Sequence, residues 1–203
     1  MGLALRLAAA GAQVTIGSRT AARAKEQVDG ALERWSGRDL AIAGDQNEQA
    51  AAAEIVVMAT PWDAAVTTGR GLAEPLAGKV VVSMGNALLK VGDEFQPVTT
   101  ARGSVAESLQ AALPGSYVGA AFHHLPARLL ADLDQDMDCD VLLCADRPEA
   151  TEEIQKLIAS IAGLRPVTAG TLSMAGAIEA FTSVLLNVNV RHKARSALKL
   201  TGL

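Results

Sequence analysis

Short apolar runs rich in β-branched residues recur along the chain, and between them lie longer Ala-rich stretches whose apolar positions return every three to four residues. A strand buried on both faces reads as a continuous apolar run and an amphipathic helix as a 3.6-residue stripe, so the alternation predicts parallel strands joined by helical crossovers. Strands are predicted at residues 13–16, 40–43, 55–59, 79–83, 117–121, 140–145 and 166–169, and helices at 3–10, 20–35, 47–53, 63–76, 105–113 and 148–162. Local chemistry supports several boundaries. Gly11 follows the first helix, Thr60-Pro61-Trp62-Asp63 reads as an N-cap with proline in the first turn, and Asp146-Arg147-Pro148-Glu149 resembles a capping box. The fold class expected is α/β, a doubly wound Rossmann-like parallel sheet. After Gly170 the pattern changes to a long, weakly polar segment at 173–200. Its stretch 177–190 is too apolar to stand alone in water as one helix and is expected to pack against a partner subunit.

Composition narrows the function classes. The chain has 203 residues, half of them hydrophobic and 20% charged, the profile of one ordered α/β domain with an appended element. With 18 basic and 22 acidic residues the net charge is −4, so no overall basic field exists to hold nucleic acid or an anionic membrane. The longest uninterrupted apolar runs are far shorter than the roughly 18 residues that span a bilayer, and a cytoplasmic protein is expected. Cys139 and Cys144 match neither a zinc knuckle nor a Cys-x-x-Cys pair and are expected in or near the core.

The candidate chemistry lies at strand ends, where cofactors bind in open α/β sheets. An NAD enzyme places Asp or Glu after the second strand of its dinucleotide unit to hold the ribose hydroxyls. Here Gly17-Ser18-Arg19 offers a hydroxyl and a guanidinium instead, with Arg23 four residues on over the same helical face, which favours the 2′-phosphate of NADP. A solvated first-turn face is the alternative for the two arginines. Thr60 and Trp62 follow the strand at 55–59 and are expected to flank the dinucleotide cleft, a packed aromatic being the alternative for Trp62; Ser83-Met84-Gly85-Asn86 ends the next strand and is expected to line the nicotinamide pocket, an ordinary turn being the alternative. Phe122-His123-His124-Leu125-Pro126 follows the strand at 117–121. Adjacent histidines point in different directions in regular structure, so no shared metal is expected; a neutral imidazole facing the cofactor edge can donate to a ring carbonyl. No Ser/His/Asp set or carboxylate pair argues for hydrolysis.

Together Gly2-Leu3-Ala4-Leu5-Arg6-Leu7-Ala8, Ile16-Gly17-Ser18-Arg19, Thr60-Pro61-Trp62, Val81-Val82-Ser83, His123-His124-Leu125-Pro126-Ala127, Cys144-Ala145-Asp146, Gly163-Leu164-Arg165-Pro166 and Ala169-Gly170-Thr171-Leu172-Ser173 resemble, in order and spacing, the NADPH-dependent reductases of coenzyme F420. The resemblance implies reversible hydride transfer between the nicotinamide C4 of NADP and C5 of the deazaflavin. It places Ser18, Arg19 and Arg23 at the adenosine 2′-phosphate, Trp62, Val66, Asn86 and Ala127 along the NADP cleft, and His123 and the region of Ala197 at the deazaflavin. It also implies a homodimer built through the C-terminal helices, with residues 1–170 as the NADP-binding domain and 171–203 as the dimerisation and deazaflavin segment. No side chain is expected to act as a catalytic acid or base, because the two rings supply the redox chemistry and the protein supplies orientation and exclusion of water. The basic cluster Arg191, His192, Lys193, Arg195 and Lys199 is a candidate for the acidic tail of F420; complementing the dipole at its own helix end is the alternative.

Two departures from the family pattern carry expectations. The family's first strand and glycine-rich phosphate loop have no counterpart, Gly2 matching a glycine just past that loop, and Met84-Gly85-Asn86-Ala87 is less proline-rich than usual. A gap is therefore expected between the strands at 13–16 and 55–59, as in a truncated reading of a longer protein, unless those two strands close directly on each other. Other readings keep the NADP domain and change its use: an imine reductase of the pyrroline-carboxylate reductase type, the cytosolic domain of a ferric reductase, or a non-catalytic NADP-binding module.

Overall fold

A computed structural model describes residues 1–203. In chain order the elements are α1 (Gly2–Ala9), β1 (Val14–Ser18), α2 (Ala21–Arg34), β2 (Ile42–Gln46), α3 (Asn47–Ala50), β3 (Ile55–Met58), α4 (Trp62–Gly71), β4 (Val80–Ser83), β5 (Leu88–Val91), β6 (Glu94–Pro97), α5 (Val105–Ala112), β7 (Tyr117–Ala120), α6 (Ala127–Leu130), β8 (Cys139–Ala145), α7 (Pro148–Ala159), β9 (Leu164–Thr168) and α8 (Ala175–His192). Every strand expected from the sequence is present. Residues 88–97, expected to carry no element, form an antiparallel hairpin, and a 3-10 turn over Leu172–Met174 precedes α8.

The α/β class holds, with the strands in separate groups. β1 and β2 pair in parallel, and five further strands run in the order β3-β4-β7-β8-β9. No ladder joins β1 to β3, so the gap expected between them is present and the two strands do not close on each other. Within the larger sheet β8 lies antiparallel to β7, a departure from the all-parallel expectation. The connection between them carries only the four-residue α6, not a full crossover helix. β9 holds Pro166 opposite Val141, which is tolerated because β9 is an edge strand.

The largest core cluster joins Leu3 and Leu7 of α1 to Val80 and Val82 of β4, Val141 and Leu143 of β8, and Ile154 and Ile158 of α7. A second cluster packs Leu109 of α5 and Leu113, which caps that helix, against Val81 and Val118 from the opposite face of the same sheet. Alternate residues of β4 thus serve both clusters, which is why Val80-Val81-Val82 is apolar throughout. Both cysteines are buried and unbridged, and burial pushes the Cys144 thiol up to about 12.

Two of the capping assignments differ. Pro61, not Thr60, is the N-cap of α4, and the Thr60 hydroxyl has no partner. Arg147 precedes α7 without a side-chain cap, because the Asp146 carboxylate instead accepts the Leu172 N–H at 2.9 Å and ties the turn before α8 to the end of β8. Gly11 adopts φ +92, the left-handed conformation expected of a glycine just past a helix.

Helix α8 docks by polar as well as apolar contacts. Glu179, buried, accepts the N–H groups of Val105 and Ala106 at 3.0 and 3.2 Å, closing the first turn of α5. Asn187 grips Phe95 of the hairpin, accepting its N–H at 2.8 Å and donating to its carbonyl at 2.9 Å. The segment Leu172–His192 is, by length and composition alone, long and apolar enough to cross a bilayer, although Glu, Asn, Ser and Thr break it into short apolar runs. Met174, Val184, Val188 and Val190 are exposed along it.

Candidate functional site

β3, β4 and β7 are adjacent and parallel, and Met58, Ser83 and Ala120 stand in register at their carboxyl ends. The segments that follow leave the same sheet edge, the Ala121 N–H donating to the Ser83 carbonyl at 3.1 Å. That edge is where ligands enter open α/β sheets. The chain turns sharply after β7: Phe122, fully buried, takes φ 68, a conformation that a non-glycine aromatic residue adopts only when its surroundings enforce it. This turn sends His123 and His124 in different directions.

His124 points back to β8, its Nε2 lying 3.0 Å from the Asp140 carbonyl. His123 lines a cleft of about 220 Å³ whose walls also include Asn86, Ala127, Thr182, Asn189 and Ser196. Its backbone carbonyl accepts from Asn86 Nδ2 at 3.1 Å, and neither ring nitrogen has a protein partner. Burial, and secondarily the neighbouring His124, pushes the His123 imidazole down to about 3, so it is neutral at ordinary pH. Asn86 Oδ1 and His124 Nδ1, on two further residues lining the cleft, are likewise buried and unpartnered. Buried polar atoms are otherwise almost always hydrogen-bonded, so this cluster fits the carbonyl and amide edges of planar ring ligands.

The fold brings Asn86, His123 and Ala127 to one cleft, and Ala197 lies beside its wall residue Ser196, packed on the larger core. Thr60, Trp62 and Val66 are half-buried at the start of α4 and do not line it; Trp62 approaches Gly85, where an added Cβ would stand 3.7 Å from Trp62 Cα. Ser18, Arg19 and Arg23 cluster where β1 enters α2. Thr20 caps that helix by accepting the Arg23 N–H at 3.4 Å, and both arginines are exposed and form no ion pair. Within the basic cluster, Arg191 pairs with Glu94 and Lys199 with Asp138, leaving Lys193 and Arg195 as its exposed cations without ion pairs, with His192 exposed between Arg191 and Lys193.

The sequence points to residues 171–203 for the deazaflavin side but does not single out the α8 side chains that line the cleft. Thr182, Leu185, Leu186 and Asn189 line the cleft at spacings of three, four and seven, one stripe of a helix. That stripe was legible in principle but hidden by the apolar residues on the helix's other faces. No group of three or more His, Cys, Asp or Glu side chains converges as a metal site.

A family model described as NADP oxidoreductase, coenzyme F420-dependent, matches residues 1–87. The F420-dependent NADP reductase of Methanocaldococcus jannaschii is 35% identical over 212 aligned positions, covering all of this chain and 93% of that protein. The enzyme of the same name from Methanothermobacter thermautotrophicus is 33% identical, covering all of this chain and 90% of that protein. Among solved structures, a protein of Arthrobacter sp. FB24 described as a proposed F420-dependent NADP reductase superposes with a TM-score of 0.82 at 22% identity, covering 99% of this chain and 96% of that one; this likeness shows the α/β fold. From its full-length similarity to the two archaeal enzymes, the chain belongs to the F420-dependent NADP reductase family.

Proposed function

We propose that this protein carries a hydride reversibly between NADPH and coenzyme F420. The observation that carries the reading is the cluster of buried, unpartnered polar atoms, Asn86 Oδ1 and His123 Nδ1 and Nε2, on one cleft at the carboxyl edge of the sheet. Asn86 and Ala127 belong to the proposed nicotinamide wall and His123 to the proposed deazaflavin wall. Their convergence supports direct ring-to-ring transfer, which requires the reacting carbons to be held in contact. When bound, the nicotinamide and the deazaflavin supply the redox chemistry between C4 of one and C5 of the other. This chain's residues orient the rings and exclude water: neutral His123 offers one N–H donor and one acceptor, and the Asn86 carboxamide oxygen accepts. Trp62, Thr60 and Val66 continue the NADP wall, Ala197 the deazaflavin wall, and Ser18, Arg19 and Arg23 hold the 2′-phosphate. Two exposed guanidiniums with no carboxylate partner suit a phosphate dianion.

Two copies pair through α8, whose exposed Val184 and Val188 lie one turn apart, and residues 171–203 serve both pairing and the deazaflavin site. Cytoplasmic residence is supported by Glu179, Asn187 and Asn189 on α8, all bonded within the protein fold. Mixing the purified protein with NADPH and F420 tests the reading. Deazaflavin absorbance should fall in step with NADPH oxidation. NADPH oxidation by a cyclic imine but not by F420 would favour the imine reductase reading, and NADPH binding without turnover on either acceptor a binding module.

A further inference from the structure

The Gly163-Leu164-Arg165-Pro166 motif spans the turn into β9 and the start of that strand, away from the cleft, and the function above assigns it nothing. Gly163 adopts φ +80, and an added Cβ would lie 1.7 Å from the Met137 carbonyl oxygen, so this turn admits only glycine. It sets Arg165 in register beside Asp140 of β8. The guanidinium meets the carboxylate side-on, Nε to Oδ1 and Nη2 to Oδ2 both at 2.7 Å, with the Asp140 side chain fully buried.

The same two residues hold the C-terminal tail. Arg165 Nη2 donates to the Leu200 carbonyl at 2.9 Å and Nη1 to the Leu203 carbonyl at 3.0 Å. Asp140 accepts the Leu200 N–H on Oδ2 at 2.5 Å, and its own N–H donates to the Leu198 carbonyl at 2.8 Å. The Asp140 carbonyl in turn faces His124 Nε2. At its other end the tail leaves α8 through Lys193, at φ 50, and the Ser196 N–H donates to Asn189 Oδ1 at 2.6 Å. Ser196 and Asn189 line the cleft, and Ala197 packs on the core beneath it. Asp140 is therefore bonded both to the tail that forms one wall of the cleft and to the histidine segment that forms another.

We propose that Arg165 and Asp140 are positioning residues for the deazaflavin half of the reaction, stapling the tail so that Ser196 and Ala197 close the cleft beside His123. This rests on the F420 reading of that cleft. Neither residue touches the reacting rings; each acts by holding the wall in its binding-competent position. If the tail docks only about a tenth of the time, the apparent affinity for the ligand that needs that wall falls about tenfold, while a ligand held elsewhere is unaffected.

The test is the Arg165→Gln variant together with Asp140→Asn/Arg165→Gln, the latter leaving no unpaired buried charge if the single variant folds poorly. Hydrogen exchange read by mass spectrometry should rise in peptides covering 194–203 and stay unchanged in those covering β4 and β7. Steady-state kinetics should show KM for F420 up about tenfold, with KM for NADPH within about twofold of the parent. Arg165→Lys should restore tail protection and the F420 KM in part, as one ammonium replaces a bidentate fork. Unchanged tail exchange, equal rises in both KM values, or a freed tail with an unchanged F420 KM would each overturn the proposal. Absence of F420 reduction by the parent protein would refute the underlying reading instead, and the exchange measurement would still report whether the staple exists.

Discussion

Asn86 and His123 are joined by one hydrogen bond, from the asparagine Nδ2 to the histidine backbone carbonyl, while Asn86 Oδ1 and both His123 ring nitrogens remain without protein partners. An unsatisfied buried polar group costs about 1–3 kcal/mol, so the pair stores instability at the cleft proposed to bind the deazaflavin. His123→Phe, close in shape and without the nitrogens, should raise the melting temperature or leave it unchanged while raising KM for F420 about tenfold. A variant that melts lower and keeps its KM would mean that His123 is an ordinary core residue.

The same histidine fixes the sign of one acid response. Burial holds its imidazole at about 3 in the fold against 6.5 as a free side chain, so between those values the unfolded chain binds more protons than the native one. His123 therefore contributes stability that is fully present above pH 6.5 and lost as pH falls toward 3. Urea denaturation as a function of pH should show stability rising with pH through that window, less steeply in His123→Phe. Over the same window kcat/KM for F420 should show no inflection that His123→Phe removes, since the ring is already neutral.

How far the sequence made these features legible depends on whether they are local. Gly17-Ser18-Arg19 was found at the end of β1 because an absent acidic residue and a present guanidinium are readable in a few residues. His123 and Asn86 were found because each follows a strand. The hairpin of β5 and β6 was missed: it is held by Asn187, ninety-two positions from Phe95, a contact no local pattern encodes. The antiparallel turn of β8 was missed because the residues between β7 and β8 carry turn signals compatible with either direction. Arg165 was noted only as part of a motif, since its partners are Asp140 and the carbonyls of the chain's last residues.

Arg19 and Arg23 should govern the choice of nicotinamide cofactor. Removing one charge-assisted contact to the 2′-phosphate weakens binding by about tenfold or more, and only for the cofactor that carries that phosphate. Calorimetric titration of Arg19→Ala should show this loss for NADPH and almost none for NADH. Equal losses would show that the arginine belongs to a solvated helix face.

The exposed valines of α8 should set the oligomeric state. Val184 and Val188, spaced by four, share a face that a charge would spoil. In sedimentation equilibrium the parent protein should fit a dimer and Val184→Lys/Val188→Lys a monomer with unaltered circular dichroism. A parent that sediments as a monomer at micromolar concentration would refute the pairing.

Glu179 should impose an opposite pH slope on stability. Its carboxylate closes the first turn of α5, and Gly176 one turn earlier lets α8 approach so closely that an added Cβ would lie 2.9 Å from the Gly103 carbonyl. Burial raises the carboxyl from 4.5 to about 7, against the two backbone N–H groups that favour its charged form and with nearby Glu107 disfavouring it further. The native state thus binds more protons than the unfolded chain between pH 4.5 and 7. The contribution is fully present below 4.5 and lost as pH rises through 7, with a total on the order of 3 kcal/mol. Because His123 and His124 push the other way over part of this range, the informative quantity is the difference between the parent and Glu179→Gln. Glutamine keeps one acceptor for the α5 turn and cannot ionise, so the parent should lose stability relative to the variant steadily from pH 4.5 to 7 and run parallel to it above about pH 8. Curves that stay parallel throughout would mean that the two N–H bonds hold Glu179 ionised at its ordinary carboxylate value, and that α8 docks on a permanent charge.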